Sequence, residues 1–164
     1  MGLTGKMVKQ IEIRAGGDVI HELYCKNQTG VAKITPGKVH GCDLHHGQRG
    51  DHGSIICWDY THEGKRKKAK QHVEPDYENN TTKFTMLEGD LMELYKTFVI
   101  TLSVEKHGEK DLVTWTTEYE KLNEDVEDPA SLMDFFAEMT KDIEAHHLPK
   151  PAEAEAGAEA VACA

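Results

Sequence analysis

Apolar and polar positions alternate with a period of two through most of the middle of the chain. In "LVTWTTEYEK", Val113, Trp115, Thr117 and Tyr119 share one face, while Thr114, Thr116, Glu118 and Glu120 share the other. Aromatics on one parity and charge on the other predict a half-buried antiparallel strand. "KTFVITLSVE" turns Phe98, Ile100, Leu102 and Val104 inward, and "TTKFTMLEGD" places Thr82, Phe84 and Met86 on one face. "GSIICWDYTHEGK" gathers Ile56, Trp58 and Tyr60, and its Glu63-Gly64 pair predicts a hairpin turn into the next strand. "TGKMVKQIEI" predicts a further strand near the start.

The period lengthens in "DPASLMDFFAEMTKDIEAHHLP", residues 128–149, where Leu132, Phe135, Phe136, Met139 and Ile143 fall at helical spacing. Asp128 is expected as N-cap, Pro129 as the first helical residue and Pro149 as the stop, giving about five turns. Phe135 and Phe136 point about 100° apart. Phe136 is expected to face the interior and Phe135 the sheet edge. Earlier, Val19, Ile20, Leu23 and Tyr24 predict a short helix. Val31 and Ile34 predict a second, ended by Pro36. The order is one strand, two short helices, about six strands and a long helix, which argues for an α+β fold with the helix on a curved antiparallel sheet. "KPAEAEAGAEAVACA" is Ala/Glu low complexity. The chain is therefore read as a domain over 1–150 and a disordered tail over 151–164.

Charge narrows the function classes. Asp and Glu number 29 against 19 Lys and Arg, for a net charge of −10, which argues against a nucleic-acid binder. The basic run "KRKKAK", residues 65–70, would alternate over two faces of a strand and is expected near a sheet edge, where charge blunts pairing with other chains. No apolar run is long enough to cross a membrane. "MGLTGKMVKQ" lacks an apolar signal core, and Lys6 stands where a myristoylation motif needs Ser or Thr. Cys25, Cys42, Cys57 and Cys163 form no Cys-x-x-Cys pair and are expected as reduced thiols in a cytoplasmic protein. The sequons at Asn27, Asn79 and Asn80 carry no meaning without a secretory route.

Three glycines in "HHGQRGDHGSIICWDY", Gly47, Gly50 and Gly53, are spaced like a phosphate loop. Such a loop needs Lys-Ser/Thr after its last glycine and a helix N-terminus facing the phosphate. Here Ser54-Ile55-Ile56 opens a strand, so nucleotide binding is not expected. Cys42, His45, His46 and His52 are close in sequence, but structural zinc needs four converging ligands, and alternation sends His45 and His46 to opposite faces. No metal is expected. His146 and His147 suit the negative end of the long helix. No Ser-His-Asp or Cys-His order and no carboxylate pair stands out. Tyr60, Thr117, Tyr119 and Cys25 are the polar groups on inward faces. They could satisfy core hydrogen bonds or guide proton transfer in an apolar pocket.

"LEGDLMELYKTF" and "WTTEYEKLNEDVEDPASLMDFFAEMTKDIEAHHL", together with "GLTGKMVKQIEI" and "GSIICWDYTHEGK", resemble the plant major latex protein family, within the birch-pollen-allergen or pathogenesis-related class ten superfamily. The resemblance spans roughly residues 2–149. It implies a START-like helix-grip fold. A seven-stranded antiparallel sheet would wrap the long helix, two short helices would close one end, and a large apolar cavity would lie between. Similar proteins carry sterols, fatty acids, terpenoids and other plant metabolites, some in stress or defence, and a few relatives such as norcoclaurine synthase are enzymes. The implied partner is a small hydrophobic ligand, with no cofactor, no nucleic acid and a monomeric chain. On the inward faces, the candidate lining from the strands is Ile56, Trp58, Tyr60, Phe84, Met86, Phe98, Ile100, Trp115, Thr117 and Tyr119. From the helices it is Leu23, Cys25, Val31, Phe136, Met139 and Ile143. Gly47, Gly50 and Gly53 match the family's glycine-rich loop and are expected as a tight, mobile turn at the cavity mouth. Should the cavity catalyse cyclisation or isomerisation of a reactive terpenoid or alkaloid, Tyr60 and Tyr119 are the candidate acids or bases.

Overall fold

A computed structural model describes residues 3–147. Pro149 and the Ala/Glu-rich tail lie outside the described residues. β1 (Thr4–Ile13) leads into two short helices, α1 (Gly17–Cys25) and α2 (Gln28–Ile34). Six strands follow: β2 (Val39–His46), β3 (Ser54–His62), β4 (Lys65–Asp76), β5 (Thr81–Gly89), β6 (Tyr95–His107) and β7 (Lys110–Lys121). A 3₁₀ turn at Asp90–Glu93 joins β5 to β6, and α3 (Ala130–His147) ends the order. All seven strands form one antiparallel sheet in the order β1-β7-β6-β5-β4-β3-β2. This is the helix-grip architecture, and the two-residue alternation is its cause. On β3, Ser54, Ile56, Trp58, Tyr60 and His62 are all buried while the residues between them are half-buried.

The hairpin between β3 and β4 turns on Glu63 at φ 55° and Gly64 at φ 75°. Two left-handed residues in succession match the right-handed twist of the flanking strands. α3 lays Leu132, Met133, Phe135, Phe136, Met139, Thr140, Ile143 and Glu144 against the sheet. Beyond the apolar packing, a polar tie fixes its far end. The Arg14 backbone N–H, just past β1, donates to the Glu144 carboxylate at 2.6 Å. At that end His147 Nδ1 also lies 2.9 Å from the Ile143 carbonyl.

Two local expectations are corrected. α3 begins at Ala130. Asp128 does not serve as its cap; instead its carboxylate accepts from the Tyr119 hydroxyl at 2.6 Å and pairs with Lys121 at 3.1 Å. Those bonds fasten the end of β7 to the start of the helix. The basic run is not near a sheet edge either. β4 lies between β3 and β5, and its cations are spent on neighbouring strands. Arg66 makes a bidentate pair with Asp59 at 2.9 and 2.8 Å, which holds the Asp59 carboxyl down at about 2, and Lys70 pairs with Glu88 at 3.7 Å. Among the described residues no helix is long and apolar enough to cross a membrane.

Candidate functional site

The concave face of the sheet and α3 do not meet everywhere. Between them lies a cavity of about 550 Å³ of atom-free space, part of it open to solvent. The space open to the centre of a water-sized sphere is only about 60 Å³, so the cavity is narrow. Each strand contributes through its inward parity: Val39 from β2, Trp58 and Tyr60 from β3, Ala69 and Gln71 from β4, Phe84 and Met86 from β5, Ile100 from β6 and Trp115 from β7. Tyr24 of α1, Leu91 of the 3₁₀ turn, and Leu132, Phe135, Phe136 and Met139 of α3 complete the wall. The wall is therefore mainly aromatic and aliphatic, and it carries no charged side chain.

Aromatic contacts hold this wall open. Trp115 stacks on Phe136 at 4.7 Å between ring centres and meets Tyr24 edge-on at 5.0 Å. Tyr60 tilts against Phe135 at 5.9 Å. Rigid rings braced against one another cannot collapse into the space as flexible aliphatic chains would. Most polar atoms in the wall are already engaged. Trp58 Nε1–H donates to Gln71 Oε1 at 2.9 Å, and Trp115 Nε1–H donates to Thr140 Oγ1 at 2.8 Å. The Tyr24 hydroxyl points to Met139 Sδ at 3.7 Å. Burial pushes the pKa of both Tyr24 and Tyr60 well above the ordinary phenol value, so both stay protonated near neutral pH.

Of the sequence-derived candidates, Trp58, Tyr60, Phe84, Met86, Ile100, Trp115, Phe136 and Met139 border the cavity. The others lie elsewhere in the core. Leu23 and Val31 pack where α1 meets α2, and Ile56 and Ile143 are wholly enclosed. Phe98 stacks on Tyr119 and meets Tyr95 edge-on, forming a filled aromatic layer. The Thr117 hydroxyl points to Met133 Sδ at 3.4 Å. Cys25 Sγ lies 2.7 Å from Thr82 Oγ1, which in turn lies 2.5 Å from His21 Nε2. Burial pushes the Cys25 thiol up to about 11, which is the reverse of an activated nucleophile. Tyr119 is tied to Asp128 and does not line the cavity.

The sequence pattern missed Tyr24, Val39, Ala69, Gln71, Leu91, Leu132 and Phe135 as parts of the wall. Phe135 sits near the sheet edge, edge-on to His62 at 5.4 Å, and yet also borders the cavity.

Gly47, Gly50 and Gly53 all have positive φ, at 76°, 90° and 87°, as a tight turn requires. None of them is among the residues that border the cavity. The loop closes the other end of β3, where enclosed Ile56 and Val73 separate it from Trp58. There Arg49 donates to Gln28 Oε1 and to the Cys42 carbonyl, and the Tyr77 hydroxyl donates to the Gly50 carbonyl at 2.6 Å. Cys42 is buried while His45, His46 and His52 are exposed, and no group of metal-ligating side chains converges among the described residues.

Comparison with known proteins gives a consistent result. The model of the pathogenesis-related protein Bet v 1 family matches residues 2–150. MLP-like protein 43 of Arabidopsis thaliana is 42% identical over 149 residues, covering 89% of this chain and 94% of its own. A crystal structure of ginseng major latex-like protein 151 from Panax ginseng superposes with a TM-score of 0.87 at 46% identity, covering 90% of this chain and 100% of that one. Norcoclaurine synthase from Thalictrum flavum shares the fold at a TM-score of 0.68, with 21% identity over 86% of this chain and 84% of its own.

Proposed function

The chain belongs to the pathogenesis-related protein Bet v 1 family, and from that premise we propose that it binds and carries a small hydrophobic plant metabolite between the sheet and α3. One observation carries this reading: an apolar, aromatic-braced cavity in a domain of a size that could otherwise fill its core. An empty apolar space forgoes dispersion contacts, and an apolar ligand would restore them. The protein is proposed to act in the cytoplasm as a monomer, in the stress or defence setting of its relatives. Native mass spectrometry after mixing with sterols, fatty acids and terpenoids tests it. A retained ligand at one-to-one stoichiometry is the expected result, and no retention from any of the three classes would overturn the reading.

A second reading, an enzyme that cyclises or isomerises a reactive terpenoid or alkaloid, is favoured by the Tyr60 hydroxyl alone. It borders the cavity and makes no hydrogen bond among the described residues. If the cavity is catalytic, Tyr60→Phe should slow turnover by about 10²–10⁴, whereas Tyr119→Phe should leave kcat near that of the parent. Tyr119 instead ties β7 to α3, so its loss should appear as a lowered Tm. Equal turnover for Tyr60→Phe and the parent would remove the enzymatic role of this residue.

A further inference from the structure

Two polar groups in the cavity wall remain unused. The Trp58 indole N–H can only donate, so the Gln71 oxygen must face it, as the 2.9 Å contact shows. This fixes the amide orientation and turns the Gln71 –NH2 group away from Trp58. That group has no hydrogen-bond partner among the described residues, although Gln71 is only 5% exposed. The Tyr60 hydroxyl, on a residue 6% exposed, is the second. The register of the sheet is also disturbed at this point. A β-bulge between β4 and β5 falls at Lys70/Gln71, and Gln71 pairs there with Met86, which lines the same cavity. Bulges re-aim side chains. The fully enclosed, unpaired side-chain polar atoms among the described residues are Ser54 Oγ and His62 Nε2, so the Gln71 –NH2 group reaches the open space of the cavity, where a ligand oxygen can take the place of water as its acceptor.

The charge of the ligand follows from what the wall lacks. No lysine, arginine or histidine lines the cavity. A carboxylate brought inside would lose its hydration and meet no cation, which is among the most costly burials in proteins.

We propose that the cavity selects uncharged hydrophobic molecules carrying an acceptor oxygen, a ketone or a hydroxyl, which accepts a hydrogen bond from Gln71 Nε2–H, and that it rejects the corresponding carboxylates. This rests on the reading of the cavity as a ligand site and names the class of ligand. The neutral Tyr60 phenol supplies a second donor to the same class. A fatty acid is held only with its headgroup outside the mouth or in its protonated form.

Three probes with one apolar body separate the possibilities: 2-acetylnaphthalene, 2-ethylnaphthalene and 2-naphthoate, titrated calorimetrically at pH 7.5. The ketone should bind about 3–10-fold more tightly than the hydrocarbon, the worth of one net hydrogen bond. It should bind at least about 100-fold more tightly than the carboxylate. In Gln71→Leu the ketone's advantage over 2-ethylnaphthalene should vanish while 2-ethylnaphthalene still binds. The comparison in the unaltered protein decides the selection even if that variant misfolds. Naphthoate binding as tightly as the ketone overturns the exclusion of anions, and ketone equal to hydrocarbon overturns the role of Gln71. Failure of all three probes to bind would instead overturn the ligand-site reading itself.

Discussion

Phe136→Ala is expected to lower the unfolding free energy by about 3–4 kcal/mol, and Phe135→Ala by less, about 2 kcal/mol. Phe136 lies flat on Trp115 at 4.7 Å. Its carbonyl accepts from the Thr140 hydroxyl, which also accepts from Trp115 Nε1–H. Truncation leaves that backbone carbonyl and its hydrogen bonds in place but removes one partner of the stack, so the cavity wall loses the ring that braces the indole face as well as its contact area. Phe135 packs on Tyr60 and His62 but borders both the cavity and the outer groove beside Lys38 and Glu138. It faces open space on two sides, so its truncation is expected to remove less packing. Helical phase alone suggests the opposite order, because an interior residue facing a cavity has fewer contacts than one packed at the sheet edge. The aromatic stack on Trp115 reverses it. Urea titration of both variants at pH 7.5 decides, and a larger loss for Phe135→Ala would show that the Trp115 stack contributes little.

Those two phenylalanines illustrate which parts of the site were legible in the sequence. That both are buried follows from helical spacing, since the stripe through Leu132, Met139 and Ile143 admits only one inward face. The strand faces were legible for the same reason: on β7, Val113, Trp115, Thr117 and Tyr119 alternate with charged or half-buried neighbours and all turn in. Alternation separates inside from outside, however, and does not separate packed from hollow. Phe98 and Ile100 share a face of β6, yet Phe98 closes an aromatic layer while Ile100 borders open space. The difference depends on which distant element lies opposite, and that is set by the sheet order.

Gln71 shows a signal that was present and overlooked. Ala69, Gln71 and Val73 occupy the inward parity of β4, but the basic run ahead of them hides the alternation. The place of β4 inside the sheet is a long-range property that no local pattern encodes. Asp128 likewise has the composition of a cap, and only the proximity of Tyr119 and Lys121 redirects it. The glycine loop divides in the same way. Its left-handed turns were readable from residue type, while the absence of its glycines from the residues that border the cavity was not.

Acidification from pH 7.5 to 5 is expected to destabilise the domain before any carboxylate titrates. Burial lowers the pKa of both His21 and His62 below the ordinary value of 6.5. His21 Nε2 lies against Thr82 and Cys25, with Asp76 raising and Lys26 lowering its pKa from nearby. His62 Nδ1 lies 3.4 Å from the Lys67 ammonium, which can only donate, so the proton sits on Nε2, which lies 3.7 Å from the Glu63 carboxylate, beyond hydrogen-bond distance. Glu63 and Glu138 oppose Lys67 there but do not outweigh burial. The unfolded chain therefore binds protons at a higher pH than the folded one. Stability is complete above the unfolded value near 6.5 and declines below it, with a limiting slope of about 1.4 kcal/mol per pH unit for each histidine. Glu144, Asp128 and Asp59, whose pKa values are lowered in the fold, contribute further loss only once the pH approaches their unfolded range near 4. Two separate phases should thus appear in urea midpoints measured from pH 8 to 3. His62→Gln should shallow the first phase and leave the second intact, because glutamine does not titrate and a side chain of similar reach still packs on Phe135. A midpoint unchanged between pH 7.5 and 5, or a variant with the parental slope, would mean that His62 takes up its proton in the folded state as readily as in the unfolded one.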